Sequence, residues 1–208
     1  MFHSLRLLTR KAREIGFCPA LGHATKMMYR KLFDRADLIF VLRSSDWHVA
    51  APPWPPSFSV DPLYSLANLS KTDREILHGY GGNKVIESFA TQFEHGGISW
   101  VGRINGQLAG VCWLIPASVA SNYFFPLLEG DAVISNCFTI PRHRGKGIFS
   151  GILYHIAKIN SKEELHRIFI NCKIWNTPSI RGILKVGFEQ IGVANSICIL
   201  HRRIIIWQ

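Results

Sequence analysis

The chain has 208 residues, which corresponds to one domain with a short appendage rather than to two full domains. Apolar residues make up 48% and charged residues 18%, with 13 Phe and 6 Trp, so the composition excludes a disordered chain. The five cysteines form no C-x-x-C pair and the nine histidines show no metal-ligand spacing. We therefore expect a cytoplasmic protein with free thiols and no metal.

The positive charge is concentrated at the N-terminus. The whole chain carries a formal charge of +10, and residues 1–35 hold eight basic and two acidic residues, which gives +6 for this segment alone. Leu5, Leu8, Ala12 and Ile15 fall near helical spacing, which predicts a basic helical extension over residues 1–37. Two interpretations remain open: peripheral attachment to an anionic surface, either membrane headgroups or nucleic acid, or a solvated helix packed on the domain.

The main domain, residues 38–208, opens with a buried strand and a proline-rich run. Residues 38–42 are all apolar, and residues 50–62 follow, with four prolines within five positions that cannot form regular structure. This run predicts a stiff extended loop that holds Trp54 and Phe58 in place. The two side chains either bind the substrate at the mouth of a site or cover the core.

The later elements follow from apolar periodicity and turn residues. Residues 63–94 predict two helices interrupted at Gly79, Gly81 and Gly82. Two apolar runs on either side of residues 105–107 predict an antiparallel hairpin. The remaining predicted elements are strands at 131–140, 167–175, 188–200 and 203–207, and helices at 147–161 and 177–186.

A basic, glycine-bearing loop at residues 141–148 separates a predicted strand from a predicted helix. The first turn of a helix leaves backbone N–H groups unpaired and carries partial positive charge, so glycines that admit a diphosphate there create an anion site. Arg142, Arg144 and Lys146 add charge at its rim. The alternative is an ordinary basic turn at a helix start.

The spacing of this loop excludes two nucleotide-binding motifs and matches a third. Neither G-x-x-x-x-G-K-[ST] nor G-x-G-x-x-G with a following acid is present. Arg142-x-x-Gly145-x-Gly147 resembles the acyl-CoA signature of the GNAT N-acyltransferase superfamily. Asn176-Thr177-Pro178-Ser179, followed by Gly187-Phe188, is similar to the later helix of that family. The resemblance covers residues 38–207 and implies an α/β (α+β) fold, with a mixed, mostly antiparallel sheet of about seven strands flanked by helices.

The resemblance implies that acetyl-CoA or another acyl-CoA is the co-substrate. Loop amides would hold its diphosphate, and the strand edge before the loop would pair with the pantetheine arm, which the Asn that opens the later helix would also bond. Many members carry a Tyr seven residues after that Asn, where this chain has Ile183. The implied cofactor-binding residues are Cys137, Phe138, Thr139, Ile140, Arg142, His143, Arg144, Gly145, Lys146, Gly147, Ile148, Asn176 and Ser179.

The resemblance also implies direct attack of an amine on the thioester, which requires a group that accepts a proton. Asp131 and Asn136 lie on the strand before the loop and are the catalytic candidates; the alternatives are a turn residue and a buried structural amide. We expect a small amine acceptor, either anionic or an amino sugar. The alternatives are acylation of a macromolecule, a protein amine or aminoacyl-tRNA, and a CoA-binding domain without turnover.

Overall fold

A computed structural model of the chain describes residues 36–44, 51, 54–120, 123–160, 165–199 and 202–207. The predicted basic helices lie outside these residues. The strands are β1 Ala36–Arg43, β2 Phe58–Leu63, β3 Ile98–Ile104, β4 Gln107–Pro116, β5 Asp131–Thr139, β6 Arg167–Lys173, β7 Glu189–Ile199 and β8 Arg202–Trp207. The helices are α1 Lys71–Gly81, α2 Asn83–Glu94, α3 Ile148–Asn160 and α4 Thr177–Leu184.

The eight strands form a single sheet in the order β2-β3-β4-β5-β6-β1-β7-β8. All neighbours are antiparallel except β5 and β6, which are parallel. The predicted mixed, mostly antiparallel sheet is therefore confirmed. The N-terminal strand β1 lies between β6 and β7, antiparallel to both. Its residues 38–42 are all buried, because both faces of the sheet are covered at this position.

The prediction of an extended loop up to Pro62 was wrong for its last part, because residues 58–63 form strand β2. Among the described strands, β2 pairs only with β3 and lies at one edge of the sheet. Proline is tolerated there because an edge strand does not need every backbone N–H for pairing.

The predicted helices and hairpin are confirmed by local features. Ser70 caps α1 reciprocally with Asp73, and Gly82, at φ +70°, separates α1 from α2. The hairpin turns at Asn105 and Gly106, whose φ values of +49° and +74° match the twist of two-residue hairpins. The helical stretch was predicted from residue 63, whereas α1 begins at Lys71, because Leu63 still belongs to β2 and Leu66–Asn68 form a 3₁₀ turn. The bounds of the hairpin and of the later elements differ from their predictions by one or two residues.

The two faces of the sheet carry different layers. Helices α3 and α4 pack on one face, where the core contains Phe40, Ile134 and Ile152. Helices α1 and α2 cover part of the other face, and residues 123–127 of the β4–β5 connection cover the rest. Within the described parts of the chain, no helix is both long and apolar enough to span a membrane.

Candidate active site

Strands β5 and β6 separate halfway along their length. Their pairing ends at Ile134 and Ile170, although β5 continues to Thr139 and β6 to Lys173. On its other side β5 contains a bulge next to Cys112 of β4, and Asn136 in this bulge is exposed, with φ +47°. The bulge bends β5, and residues 135–139 have no pairing to β6. The predicted strand edge at residues 137–140 therefore borders a slot between diverging strands.

The loop after β5 presents a row of unused backbone donors. The N–H groups of residues 145–150 donate to no backbone acceptor among the described residues, and the first amide used by α3 is that of Gly151, which donates to Gly147 O at 2.8 Å. Gly145 and Gly147 have φ values of +76° and +75°, and a Cβ at Gly145 would meet no atom within 4 Å. The loop therefore combines open space with the positive end of a helix.

The free donors begin later than the resemblance implied. The amides of His143 and Arg144 donate to Ile140 O and Pro141 O, at 2.9 and 3.2 Å. These bonds close the short 3₁₀ turn Pro141–His143 that leads into the loop. The amides without a backbone acceptor thus form a continuous set from Gly145 into the first turn of α3.

The basic side chains around the loop are held by short-range contacts. Arg142 Nη2 donates to Gln107 Oε1 at 3.1 Å, and Arg144 Nε donates to Thr139 O at 3.3 Å. The Nε2 atom of His143 accepts from Arg142 Nε at 3.0 Å. Burial, together with the charges of Arg142 and Lys146, lowers the pKa of His143. The loop is strongly cationic and favours an anionic ligand.

Asn176 and Ile183 belong to the helix that follows β6. Asn176 Oδ1 accepts from Ser179 N–H at 3.4 Å, so Asn176 is the N-cap of α4. Its additional role in binding pantetheine stays a prediction. Ile183 is fully buried in the core between the sheet and α3. No proton donor is present at the position where many family members have Tyr.

The two catalytic candidates differ in their surroundings. Asp131 is 2% exposed, accepts from Arg167 Nε and Nη2 at 2.7 and 2.6 Å, and accepts from Leu128 N–H at 2.7 Å. Each of its carboxylate oxygens therefore already has a donor. Asn136 is exposed at the bulge beside the slot. Roles for both in proton transfer stay predictions, and the geometry favours Asn136 as the residue that a substrate can reach.

Trp54 and Phe58 lie together on the face of the sheet that carries α3. The Trp54 ring is 5.4 Å from the ring of Tyr154 and 5.5 Å from that of His155, and 5.9 Å from that of Phe58. Phe58 is buried with the core and touches the position of Gly151. These contacts account for both side chains by packing, and their role in acceptor binding stays a prediction.

Burial raises the pKa of two cysteines, which favours their protonated thiol form. Burial and contact with Cys137 raise the pKa of Cys112, and burial with the nearby charge of Asp37 raises the pKa of Cys172 to about 11. No group of three or more His, Cys, Asp or Glu that could hold a metal is found in the described ranges.

Sequence reasoning missed a polar cluster on the opposite face of the sheet. Asp37, Asn171, Lys173 and Tyr123 come from three separate segments. Only Asp37 carried a signal, as an acid directly before an apolar run, and it falls within the predicted basic extension, residues 1–37. The other three residues depend on strand order, which local patterns do not reveal.

Unpaired amides at a helix start, beside two parallel strands that diverge, are the arrangement that the resemblance to the GNAT superfamily implies. The model of the Acetyltransferase (GNAT) family matches residues 61–188, which is more than half of the chain. The chain therefore belongs to the GNAT acetyltransferase family. Comparison with curated proteins finds no match.

Solved structures share this fold at low sequence identity. A GNAT-family acetyltransferase from Colwellia psychrerythraea is 13% identical with a TM-score of 0.56, covering 83% of this chain and 55% of its own. A GCN5-related N-acetyltransferase from Sphaerobacter thermophilus is 12% identical with a TM-score of 0.54, covering 82% of this chain and 54% of its own. A structure of AAC(6')-Ib in complex with ribostamycin and coenzyme A is 14% identical with a TM-score of 0.55, and the match covers 73% of this chain and 91% of AAC(6')-Ib. This chain thus spans about half the length of the first two.

Proposed function

We propose that this chain transfers an acyl group, acetyl in the first instance, from coenzyme A to the amine of a small acceptor. The observation that carries the proposal is the row of unused amides at residues 145–150, next to the strand edge that the bulge frees from β6. Membership of the GNAT family supports an acyl-CoA as the donor. AAC(6')-Ib, which shares the fold, has been solved with coenzyme A.

The chain's own residues would act mainly by positioning and electrostatics. The amides of residues 145–150 would bind the diphosphate, and the exposed Lys146 would add charge at the rim. The freed edge of residues 137–139 would pair with the pantetheine arm as an added strand. A backbone N–H on this edge would donate to the thioester oxygen, and this bond strengthens as negative charge develops there.

The movement of protons would not require a strong acid from α4. The buried Ile183 cannot protonate the departing thiolate. The proton released by the attacking amine is available to the thiolate, so the overall transfer balances without a resident donor. Exposed at the bulge, Asn136 would hold the water that carries this proton.

The test is release of free CoA thiol from acetyl-CoA across a panel of small amines. Gly145→Glu places a carboxylate beside the amides of residues 145–150, and it should raise the KM for acetyl-CoA by about tenfold or more. Gly96→Glu is the matched control, because Gly96 has a φ of +75° and the same open space around a Cβ, yet lies at the end of α2. Equal effects of the two variants, or no release with any amine, would contradict the proposal.

The charge of +6 on residues 1–35 favours a second candidate, acylation of a protein amine or aminoacyl-tRNA docked on this segment. In the full chain, replacing Arg10, Lys11 and Arg13 with Gln should then abolish activity on the macromolecule at moderate salt and leave activity on small amines unaffected.

Binding of CoA without thiol release on either class of acceptor would indicate a non-catalytic domain. Binding of the same variant to anionic vesicles tests peripheral membrane attachment.

A further inference from the structure

A buried polar cluster joins β1 to the end of β6. Lys173 Nζ lies 2.7 Å from Asp37 Oδ2, and Asn171 Nδ2 donates to Asp37 Oδ1 at 3.2 Å. The Asp37 side chain is 9% exposed, whereas the Lys173 side chain is 39% exposed. A ligand that approaches the cluster therefore meets the ammonium group first, and the carboxylate behind it holds that group in place.

The cluster borders the slot. Asn171 and Lys173 belong to the part of β6 beyond Ile170, its last residue paired with β5. Phe169 packs with Val41 and Val133 on the face that the 123–127 segment covers, and because alternate residues share a face, Asn171 and Lys173 project to that face. The loop at residues 141–148, which would bind the diphosphate, leads into α3, and α3 packs on the opposite face. The cluster thus borders the slot on the face away from α3 and is separate from the loop that would bind the diphosphate.

Tyr123 adds a donor without an acceptor. Its ring lies 6.0 Å from that of Phe169, and its hydroxyl is buried with no hydrogen-bond partner in the described structure. Burial and the negative charge of Asp37 raise the pKa of Tyr123, which keeps the hydroxyl protonated. A buried hydroxyl without a partner is costly, so this atom marks a place for a ligand oxygen or a water.

We propose that Lys173 and Tyr123 bind an anionic group, a carboxylate or a phosphate, that the amine acceptor carries. An ammonium group paired with Asp37, whose other oxygen accepts from Asn171, together with a protonated phenol, supplies donors suited to an anionic oxygen. The Asp37 carboxylate is covered and has a donor on each oxygen, so the cluster does not suit an acceptor that presents only positive charge. This inference rests on the proposed function, because it names the acceptor of the same slot.

The test is calorimetric titration of the CoA-saturated protein with three acetylated amines. N-acetylglycine carries a carboxylate, N-acetyl-phosphoethanolamine carries a phosphate, and N-acetylglycinamide is neutral. At least one anionic compound should bind about tenfold more tightly than the neutral one, and which one does so separates carboxylate from phosphate acceptors. Equal binding of all three, or no binding of either anion at millimolar concentration, would overturn the proposal.

Variants connect the preference to the cluster. The double variant Asp37→Asn/Lys173→Met removes both charges, so it leaves no buried unpaired carboxylate, and it should abolish the preference for the anion. Lys185→Met removes an exposed lysine at the end of α4 and should preserve it. An equal loss in both variants would mean that the overall positive charge attracts the anion, which overturns the proposal.

Tyr123→Phe separates binding from stability. Its hydroxyl has no partner to lose, so the variant should match or exceed the parent in thermal stability and yet bind the anion more weakly. Unchanged anion affinity would remove Tyr123 from the site. A preference for the anion without thiol release from acetyl-CoA would overturn the proposed function alone, and thiol release with no preference would overturn this inference alone.

Discussion

Asp37 and Lys173 lie directly opposite each other in the β1–β6 pair, although they are 136 residues apart in the chain. Their ion pair, at 2.7 Å, fastens the N-terminal strand to the strand that forms one wall of the slot. In this chain, a segment that precedes the matched family region, residues 61–188, therefore lies inside the sheet, between β6 and β7.

Removing only one partner of this pair should lower the free energy of unfolding more than removing both partners. Lys173→Met leaves the buried Asp37 carboxylate with a single side-chain donor and should lower the free energy of unfolding by about 2–3 kcal/mol. Asp37→Asn/Lys173→Met should recover at least half of that loss. Urea unfolding of both variants measures it, and a double variant less stable than Lys173→Met would contradict the account.

Asp131 should act on stability rather than on proton transfer. Asp131→Asn weakens two charge-assisted bonds from Arg167 and should destabilise the protein by about 2–4 kcal/mol. At temperatures where the variant is folded, the dependence of kcat on pH should match that of the parent. If kcat of the variant no longer fell at low pH, where the essential base of the parent is protonated, Asp131 would instead be that base.

His143 should couple CoA binding to pH. Its pKa lies below the ordinary 6.5, because burial and the charges of Arg142 and Lys146 disfavour the imidazolium. The unfolded chain binds this proton more readily than the folded protein does. In the absence of CoA, the contribution of His143 to the free energy of unfolding is therefore fully present above about pH 6.5, and it is lost as the pH falls through the lowered pKa.

A bound diphosphate should reverse this shift, because two phosphate groups beside His143 favour its protonated form. We therefore expect proton uptake on binding of CoA at about pH 6, and affinity that rises as the pH falls from about 7 to 6. Calorimetry in buffers of different ionisation enthalpy measures the uptake. His143→Gln should remove it, and an unchanged uptake in that variant would contradict the assignment.

Cys172 should be unreactive. Its pKa of about 11 means that the thiolate is scarce at pH 8, so iodoacetamide should modify it roughly a hundredfold more slowly than a free cysteine. Mass spectrometry of the digested protein measures this rate. The Asp37→Asn variant should speed the reaction, because the nearby charge contributes to the high pKa. A parent rate equal to that of free cysteine would contradict both the pKa and its cause.

The features that the sequence predicts well are those with local causes. The Asn105-Gly106 turn and the glycines of the loop at residues 141–148 each act within a few residues of the chain, so their patterns are visible without the fold. The loop also carries a family motif, and the loop amides without a backbone acceptor among the described residues begin at Gly145. Their binding of a diphosphate stays a prediction.

The features that the sequence analysis missed depend on contacts between distant segments. Four prolines before Phe58 concealed the edge strand β2, which forms because β3 offers a free partner. No local pattern shows that β1 inserts between β6 and β7, so Asp37 could not be connected with Lys173. For the same reason Tyr123, on the connection between β4 and β5, gave no signal.

The most direct test of the account is an amide correlation spectrum of the labelled protein with CoA and with pantetheine, which lacks the diphosphate. The account predicts that CoA shifts the amide signals of residues 145–150, that pantetheine leaves these signals in place, and that both ligands shift signals along residues 137–139. If saturating CoA leaves the amides of residues 145–150 unchanged, the diphosphate is bound elsewhere and the account is wrong.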